Sequence, residues 1–254
     1  MNRILFERDE VASDGLVRLS DHRADHIRKV LRSRVGDALR VGVLDGEAGT
    51  AVVESVGDRE VVLKATFGEI APRPWFDLLL AVPRPKVLHR LWPELSAIGV
   101  GRVILVNACR VERCYFDTHW LTPETWRPLL VEGLEQAGAT QVPEVLVRRA
   151  FKPFIQDELP EMYKDAPKWV AHPRLSGSGR LLAPVADDTP SARPLLAVGP
   201  EGGWVDFELG LLRDAGFQPI SLGDRALRTD TAIVALAGAL RGVYLSKALP
   251  VSLG

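Results

Sequence analysis

The stretch that decides the fold is Leu195-Leu196-Ala197-Val198-Gly199-Pro200-Glu201-Gly202-Gly203. Four apolar residues run directly into a proline- and glycine-rich turn. That is the pattern of a strand buried on both faces and ending in a tight loop. A helical pattern follows over 206–215, opened by the acids Asp206 and Glu208, so the loop joins strand to helix. Downstream, 219–222 repeats the arrangement and ends in Gly223-Asp224. Then Leu227-Arg228-Thr229-Asp230-Thr231-Ala232 enters a last helix over 231–247, which Thr229 or Asp230 is placed to cap. Upstream, 76–82, 102–107, 144–148 and 169–171 read as further buried strands. Helical stretches near 86–98, 123–137 and 152–158 separate them. Such alternation predicts a mainly parallel sheet covered on both faces.

Before residue 71 the pattern changes. Short β-rich runs at 39–43, 50–56 and 60–67 are separated by Asp45-Gly46 and Gly57-Asp58, which predicts a small antiparallel sheet or barrel. Residues 21–31 read as a helix with Ala24, Ile27, Val30 and Leu31 on one face. The connector Ala71-Pro72-Arg73-Pro74 favours extended backbone. The expected domains are therefore 1–72 and 73–254.

Composition excludes several classes. The 254 residues are 46% hydrophobic and 26% charged with a net charge of −1, the balance of an ordinary globular chain. Apolar runs such as 78–82 fall far short of the roughly 20 residues that span a bilayer. No apolar segment with a cleavage site opens the chain, so no membrane association is expected and the cytoplasm is the expected location. Cys109 and Cys114 read as ordinary reduced thiols. The five histidines offer no ligand-spaced set beyond His22 and His26, so no metal is expected. Charge is uneven, however. Over 21–40 six basic residues, including Arg28, Arg32 and Arg34, face three acids, a local patch suited to phosphate.

In open α/β sheets ligands sit beyond the carboxyl ends of strands. Gly199–Gly203 (residues 199–203), Leu222-Gly223-Asp224 and residues 227–232 all lie there, and His172 follows another strand. Each loop alone is either a tight turn requiring positive φ or part of a site, and three together favour a site. The first loop lacks the Lys and Ser/Thr of a phosphate-binding loop and the GxGxxG spacing of a dinucleotide fold, and Glu201 adds negative charge. A cationic or neutral ligand with hydroxyls and an aromatic base fits better, and S-adenosylmethionine has those features.

Residues 196–203, Ser221-Leu222-Gly223 and residues 227–232 resemble the C-terminal signature of the ribosomal RNA small subunit methyltransferase E family. That family methylates N3 of uridine 1498 in 16S rRNA and belongs to the SPOUT class. His26-Ile27-Arg28-Lys29-Val30-Leu31-Arg32 with Val35-Gly36-Asp37 resembles its RNA-binding segment. Pro85-Lys86, residues 94–100 and Glu135-Gln136 fit further family motifs. The resemblance implies an N-terminal PUA-like β-barrel followed by an α/β SPOUT domain with a C-terminal trefoil knot. It also implies a homodimer acting on 16S rRNA or a small-subunit particle with S-adenosylmethionine as cofactor. Carried over residue by residue, the cofactor contacts are His172, Gly199, Pro200, Glu201, Gly202, Gly203, Leu222, Gly223, Leu227 and Thr229. The RNA contacts are His26, Arg28, Arg32, Arg34, Lys86, Glu135 and Gln136. One departure is that the Arg usually three residues after Glu-Gln is replaced by Ala139 and then Thr140. Arg148 and Arg149 are candidates to compensate.

Uridine N3 carries a proton that must leave before or during attack, so the site needs a base or a cation for the developing anion. Arg228 is the candidate cation and Glu201 the candidate base, unless Glu201 only accepts hydrogen bonds from its own loop. A paired base buries N3, so an unpaired or flipped uridine is expected. The rival readings are a SPOUT enzyme acting on another RNA position, such as a ribose 2′-hydroxyl, and a non-catalytic RNA-binding protein of the same fold.

Overall fold

The computed structural model describes residues 2–172 and 193–248. The chain divides into two compact units. The first comprises Met1–Pro74, Trp92–Gly99 and Arg127–Val142; the second comprises Trp75–Leu91, Val100–Trp126 and Pro143–Gly254.

The first unit is built on five strands: β1 (Ile4–Phe6), β2 (Leu16–Leu19), β3 (Ala38–Val43), β4 (Ala48–Val56) and β5 (Val61–Glu69). Their order is β1-β3-β4-β5-β2, parallel between β1 and β3 and antiparallel elsewhere. Side chains of β4 alternate between buried and exposed over 51–54, as a strand with one face on a core must. That core gathers Ile4, Phe6, Val17, Leu19, Val41, Val53, Val61 and Leu63 with Ala24 and Ile27 above them. The first two strands were not foreseen, since three or four residues are too few to show a period of two.

The expected helix over 21–31 is present in altered form. A helical turn, α1 (His22–Asp25), is capped by the Asp21 side chain, which accepts the Arg23 N–H. It continues as a π-helical stretch, His26–Leu31, closed by Arg32 in the left-handed region at φ 53°. π-Winding takes more residues per turn, so the 3.6-residue stripe drifts off the core. Ala24 and Ile27 are buried, but Val30 and Leu31 are 65% and 42% exposed, contrary to the single apolar face expected.

The second unit carries a six-stranded, wholly parallel sheet. Its strands are β6 (Phe76–Ala81), β7 (Val100–Val106), β8 (Glu144–Arg148), β9 (Lys168–Ala171), β10 (Leu195–Val198) and β11 (Gln218–Ile220), in the order β11-β9-β10-β6-β7-β8. Every residue of β6 and β10 is buried, as expected of central strands covered on both faces. The further helices of the chain are α2 (Pro85–Ala97) and α3 (Pro123–Ala137), of which Trp92 onward and Arg127 onward belong to the first unit, and α4 (Phe151–Pro153), α5 (Leu159–Met162), α6 (Asp206–Asp214) and α7 (Thr229–Ala248) of the second. Thus α7 begins at Thr229, and neither Thr229 nor Asp230 is its cap; both lie inside the first turn.

At the amino end of β6, buried Asp77 accepts hydrogen bonds from Tyr163 Oη at 2.9 Å and Arg193 Nε at 2.7 Å. Arg102 approaches the Tyr163 ring at 5.8 Å, and burial together with the Asp77 charge pushes the Tyr163 phenol well above its usual range. This network is at the opposite edge of the sheet from the glycine-rich loops, so it belongs to the scaffold. The strand order reverses between β6 and β10, and in such sheets the crevice at the reversal point is where ligands bind.

Candidate functional site

Because the sheet is parallel, all six carboxyl ends share one edge. The loop after β11, His172 after β9, the Gly199–Gly203 turn (residues 199–203) after β10 and the loop after β6 therefore follow one another along it. His172 donates its backbone N–H to the Ile220 carbonyl at 3.1 Å, tying the end of β9 to that of β11. Glu201 Oε1 accepts the Arg84 backbone N–H at 3.2 Å, bridging the ends of β10 and β6 across the reversal. The partner of Glu201 is thus in another loop, and its own turn does not supply that contact.

The glycines are used in two ways. Gly203 at φ +76° and Gly223 at φ +101° adopt a backbone that favours glycine. Gly199 and Gly202 are instead close-approach positions: a Cβ on Gly199 would stand 3.1 Å from the Trp204 indole, and one on Gly202 would stand 3.0 Å from Arg110 Cδ. Arg110 also donates to the Gly202 carbonyl through Nη1. Space opens at Gly223, where no atom would meet a Cβ within 4 Å. Leu222 and Leu227 beside it are 40% and 43% exposed. Exposed leucines for an adenine face and accessible glycine backbone for a ribose are features that fit S-adenosylmethionine. A larger side chain at Gly202 would displace Arg110 before it met any ligand.

In the sequence Glu208 is only an acid in the first turn of α6. Its carboxylate is buried and accepts the Val205 N–H at 2.9 Å and the Cys109 N–H at 2.6 Å, so it fixes the loop after β7 to the start of α6. The second contact spans distant sequence, and no local pattern signals it.

Arg228 is open to solvent, its side chain 65% exposed, and Nη2 lies 2.7 Å from Asp230 Oδ2. Thr229 is buried in the first turn of α7. Lys86 is exposed in the first turn of α2.

The remaining RNA candidates lie in the first unit and differ in availability. Arg32 and Arg34 are exposed. Arg28 spends its guanidinium on the Gly57 and Asp58 carbonyls at 2.8 and 2.6 Å and on Asp25 at 2.5 Å, holding the β4–β5 turn. His26, Glu135 and Gln136 share the wall of a cavity of about 400 Å³ with Glu94 and Glu132. Neither Lys nor Arg lines it, so its side-chain donors toward a phosphate are those of His26 and Gln136. Thr140 is buried, with Oγ1 donating to the Gly46 carbonyl at 2.8 Å, so the position of the missing Arg is filled by a packing residue. Arg148 pairs with Glu158 at 2.7 Å, and Arg149 donates to the Phe116 carbonyl and covers its ring, so neither is free to compensate.

Glu135 is buried, and desolvation outweighs a hydrogen bond from the Leu5 backbone to push its carboxyl up to about 7. A carboxyl whose pKa is raised on folding binds more protons folded than unfolded. The stability that this group contributes is therefore fully present below the ordinary carboxylate range and is lost as pH rises through about 7. The melting temperature of the wild type should drop over that window, and Glu135→Gln should flatten the drop. Parallel curves for the two proteins would show that Glu135 is not the group responsible.

Comparison with known proteins follows the same lines. The family described as RNA methyltransferase domain matches residues 71–241, and that described as RNA methyltransferase PUA domain matches residues 19–66. Ribosomal RNA small subunit methyltransferase E of Treponema pallidum is 28% identical over 92% of this chain and 88% of its own length. The protein of that name from Synechocystis is 30% identical over 88% of this chain and 72% of its own. A putative methyltransferase from Legionella pneumophila, solved in complex with the bound cofactor SAM, superposes with a TM-score of 0.70 at 25% identity, covering 95% of this chain and 97% of that one. With a PUA-like first part, a parallel α/β second part and relatives aligned along nearly all of its length, this chain belongs to the RNA methyltransferase family, in its ribosomal RNA small subunit methyltransferase E branch.

Proposed function

We propose that this methyltransferase transfers a methyl group from S-adenosylmethionine to N3 of uridine 1498 in 16S rRNA. The observation that carries this reading is the convergence at one sheet edge of three loops, with an exposed guanidinium, Arg228, at the entrance to the last helix. The cofactor, when bound, supplies an electrophilic methyl on a sulfonium. His172, the turn at 199–203, Leu222, Gly223, Leu227 and Thr229 hold it. The chain must then prepare the acceptor. Uracil bears carbonyl oxygens on both sides of N3, and as the N3 proton leaves, negative charge spreads onto them. Arg228 faces that charge with a planar fork of donors. Glu201, anchored through one oxygen to Arg84, has the other to take the proton. Arg32, Arg34 and Lys86 contact the RNA backbone, while Glu135 and Gln136 shape a wall of the first unit.

The active form is a homodimer working on rRNA or a small-subunit particle in the cytoplasm. Exposed Phe207 on α6 and Val234 on α7 support an apolar contact between copies. Among the described residues no helix is long and apolar enough to cross a membrane. The test is mass spectrometry of 16S rRNA from cells with and without the gene. Loss of 3-methyluridine at position 1498, restored by the wild-type chain, is expected. An unchanged nucleoside profile would sink the reading.

A further inference from the structure

The carboxylate of Asp230 divides its two oxygens between separate tasks. Oδ1 accepts the Thr231 backbone N–H at 2.9 Å, fixing the acid within the first turn of α7. Oδ2 accepts from Arg228 Nη2 at 2.7 Å and from Arg90 Nη2 at 3.4 Å. The acid is largely withdrawn from solvent, its side chain 17% exposed, whereas Arg228 stands in the open. A free arginine has several rotatable bonds to immobilise when it meets its target, and an anchored partner fixes them beforehand. Two guanidiniums on one carboxylate also leave one positive charge uncompensated, which suits a place that receives a polyanion.

We propose that Asp230 is a positioning residue for methyl transfer, aiming the Arg228 guanidinium at the target uridine. The inference rests on the role given above to Arg228. Asp230 touches neither the methyl nor N3; it acts through its neighbour. The shorter of its two contacts is to Arg228, and Arg90 on α2 holds the carboxylate from the other side. The acid also lies at a helix N-terminus, where its charge favours the helix dipole, so the test must separate aim from fold.

Asp230→Asn makes that separation. The amide keeps the shape and can still accept the Thr231 N–H, but it loses the charge that draws Arg228 in. The expected result is a melting temperature lowered by no more than the few degrees that one helix-terminal charge is worth, with unchanged S-adenosylmethionine affinity by calorimetry. The kcat on 16S rRNA in small-subunit particles falls about tenfold or more, the scale of one charge-assisted hydrogen bond, with KM nearly constant. Asp230→Glu should recover part of the rate. The decisive step is a double-mutant cycle: in an Arg228→Ala background, Asp230→Asn should cost nothing further, because what it positions is gone. Losses that multiply would overturn the proposal. So would wild-type turnover by Asp230→Asn, or a rate loss that disappears when assayed well below the variant's melting temperature. If Arg228→Ala turns over normally, the proposal falls with the role of Arg228. If the wild type leaves 16S rRNA unmethylated, it is the function reading that fails.

Discussion

Replacing Arg228 by alanine is expected to lower kcat by about 10²–10³-fold, the usual cost of removing one preorganised donor from a developing oxyanion. The effect should fall on kcat far more than on KM, because uridine gains its negative charge only as N3 is deprotonated. S-adenosylmethionine affinity and melting temperature should hold, since an exposed pair such as Arg228–Asp230 adds at most about 1 kcal/mol to stability. Arg228→Lys keeps the charge but not the planar fork, so it should recover only part of the rate. A merely structural ion pair gives the opposite pattern: a lower melting temperature, with cofactor binding weakened in proportion. Turnover, calorimetry and melting on the same preparations separate the two.

The largest expected loss of stability comes from Gly133→Ala. Gly133 is buried in α3, and a Cβ there would lie 2.0 Å from the Pro93 carbonyl oxygen and 2.2 Å from Ser96 Oγ. Neither neighbour can yield cheaply. The first is helix backbone, and Ser96 Oγ donates to the Leu130 carbonyl at 2.7 Å. Alanine is ordinarily worth about 1 kcal/mol over glycine inside a helix. Overlap of this severity outweighs it, and a net loss of about 3 kcal/mol or more is expected, lowering the melting temperature by roughly 10 °C. Gly210 in α6 supplies the contrast, for nothing lies within 4 Å of its would-be Cβ. The same substitution there should be neutral or stabilising. Equal effects at the two positions, read by thermal melting, would refute the packing argument.

What could be read from the sequence divides by the range of the interactions involved. Strand β10 is an unbroken apolar run ended by glycine, β6 continues from Leu78 as an apolar run up to Pro83, and α3 carries its periodicity within Pro123–Ala137, so these elements were legible. The domain nature of both parts and the methyltransferase fold were carried by the resemblance of whole motifs. Contacts between distant residues left no trace. Arg3 is buried with Nη1 on the Val41 carbonyl at 2.6 Å and Nε on that of Gly138 at 3.1 Å, yet in sequence it is one more basic residue near a terminus. The Glu201–Arg84 bridge and the Glu208–Cys109 contact are invisible for the same reason. Arg28 counts as a free charge in the sequence, since charge counting does not show which carbonyls a guanidinium finds. The Val30 and Leu31 reading failed differently: the period assumed was that of an α-helix, and the backbone there is wound more loosely.

The make-up of the first compact unit bears on how the chain is synthesised and cut. Its sheet is complete by residue 69, but the unit also draws in Trp92–Gly99 and Arg127–Val142. Backbone N–H groups of Asn2 and Arg3 are accepted by the Glu135 carbonyl at 2.9 and 3.0 Å, and the Asp45 N–H by that of Thr140 at 2.8 Å. A nascent chain emerging amino end first therefore holds these donors unmatched until residue 140 has been made, and the unit closes late. Truncation at the proline-rich connector, although it falls between the two sheets, would leave the same groups bare. A fragment intended to isolate the amino-terminal part has to carry the later helical segments with it.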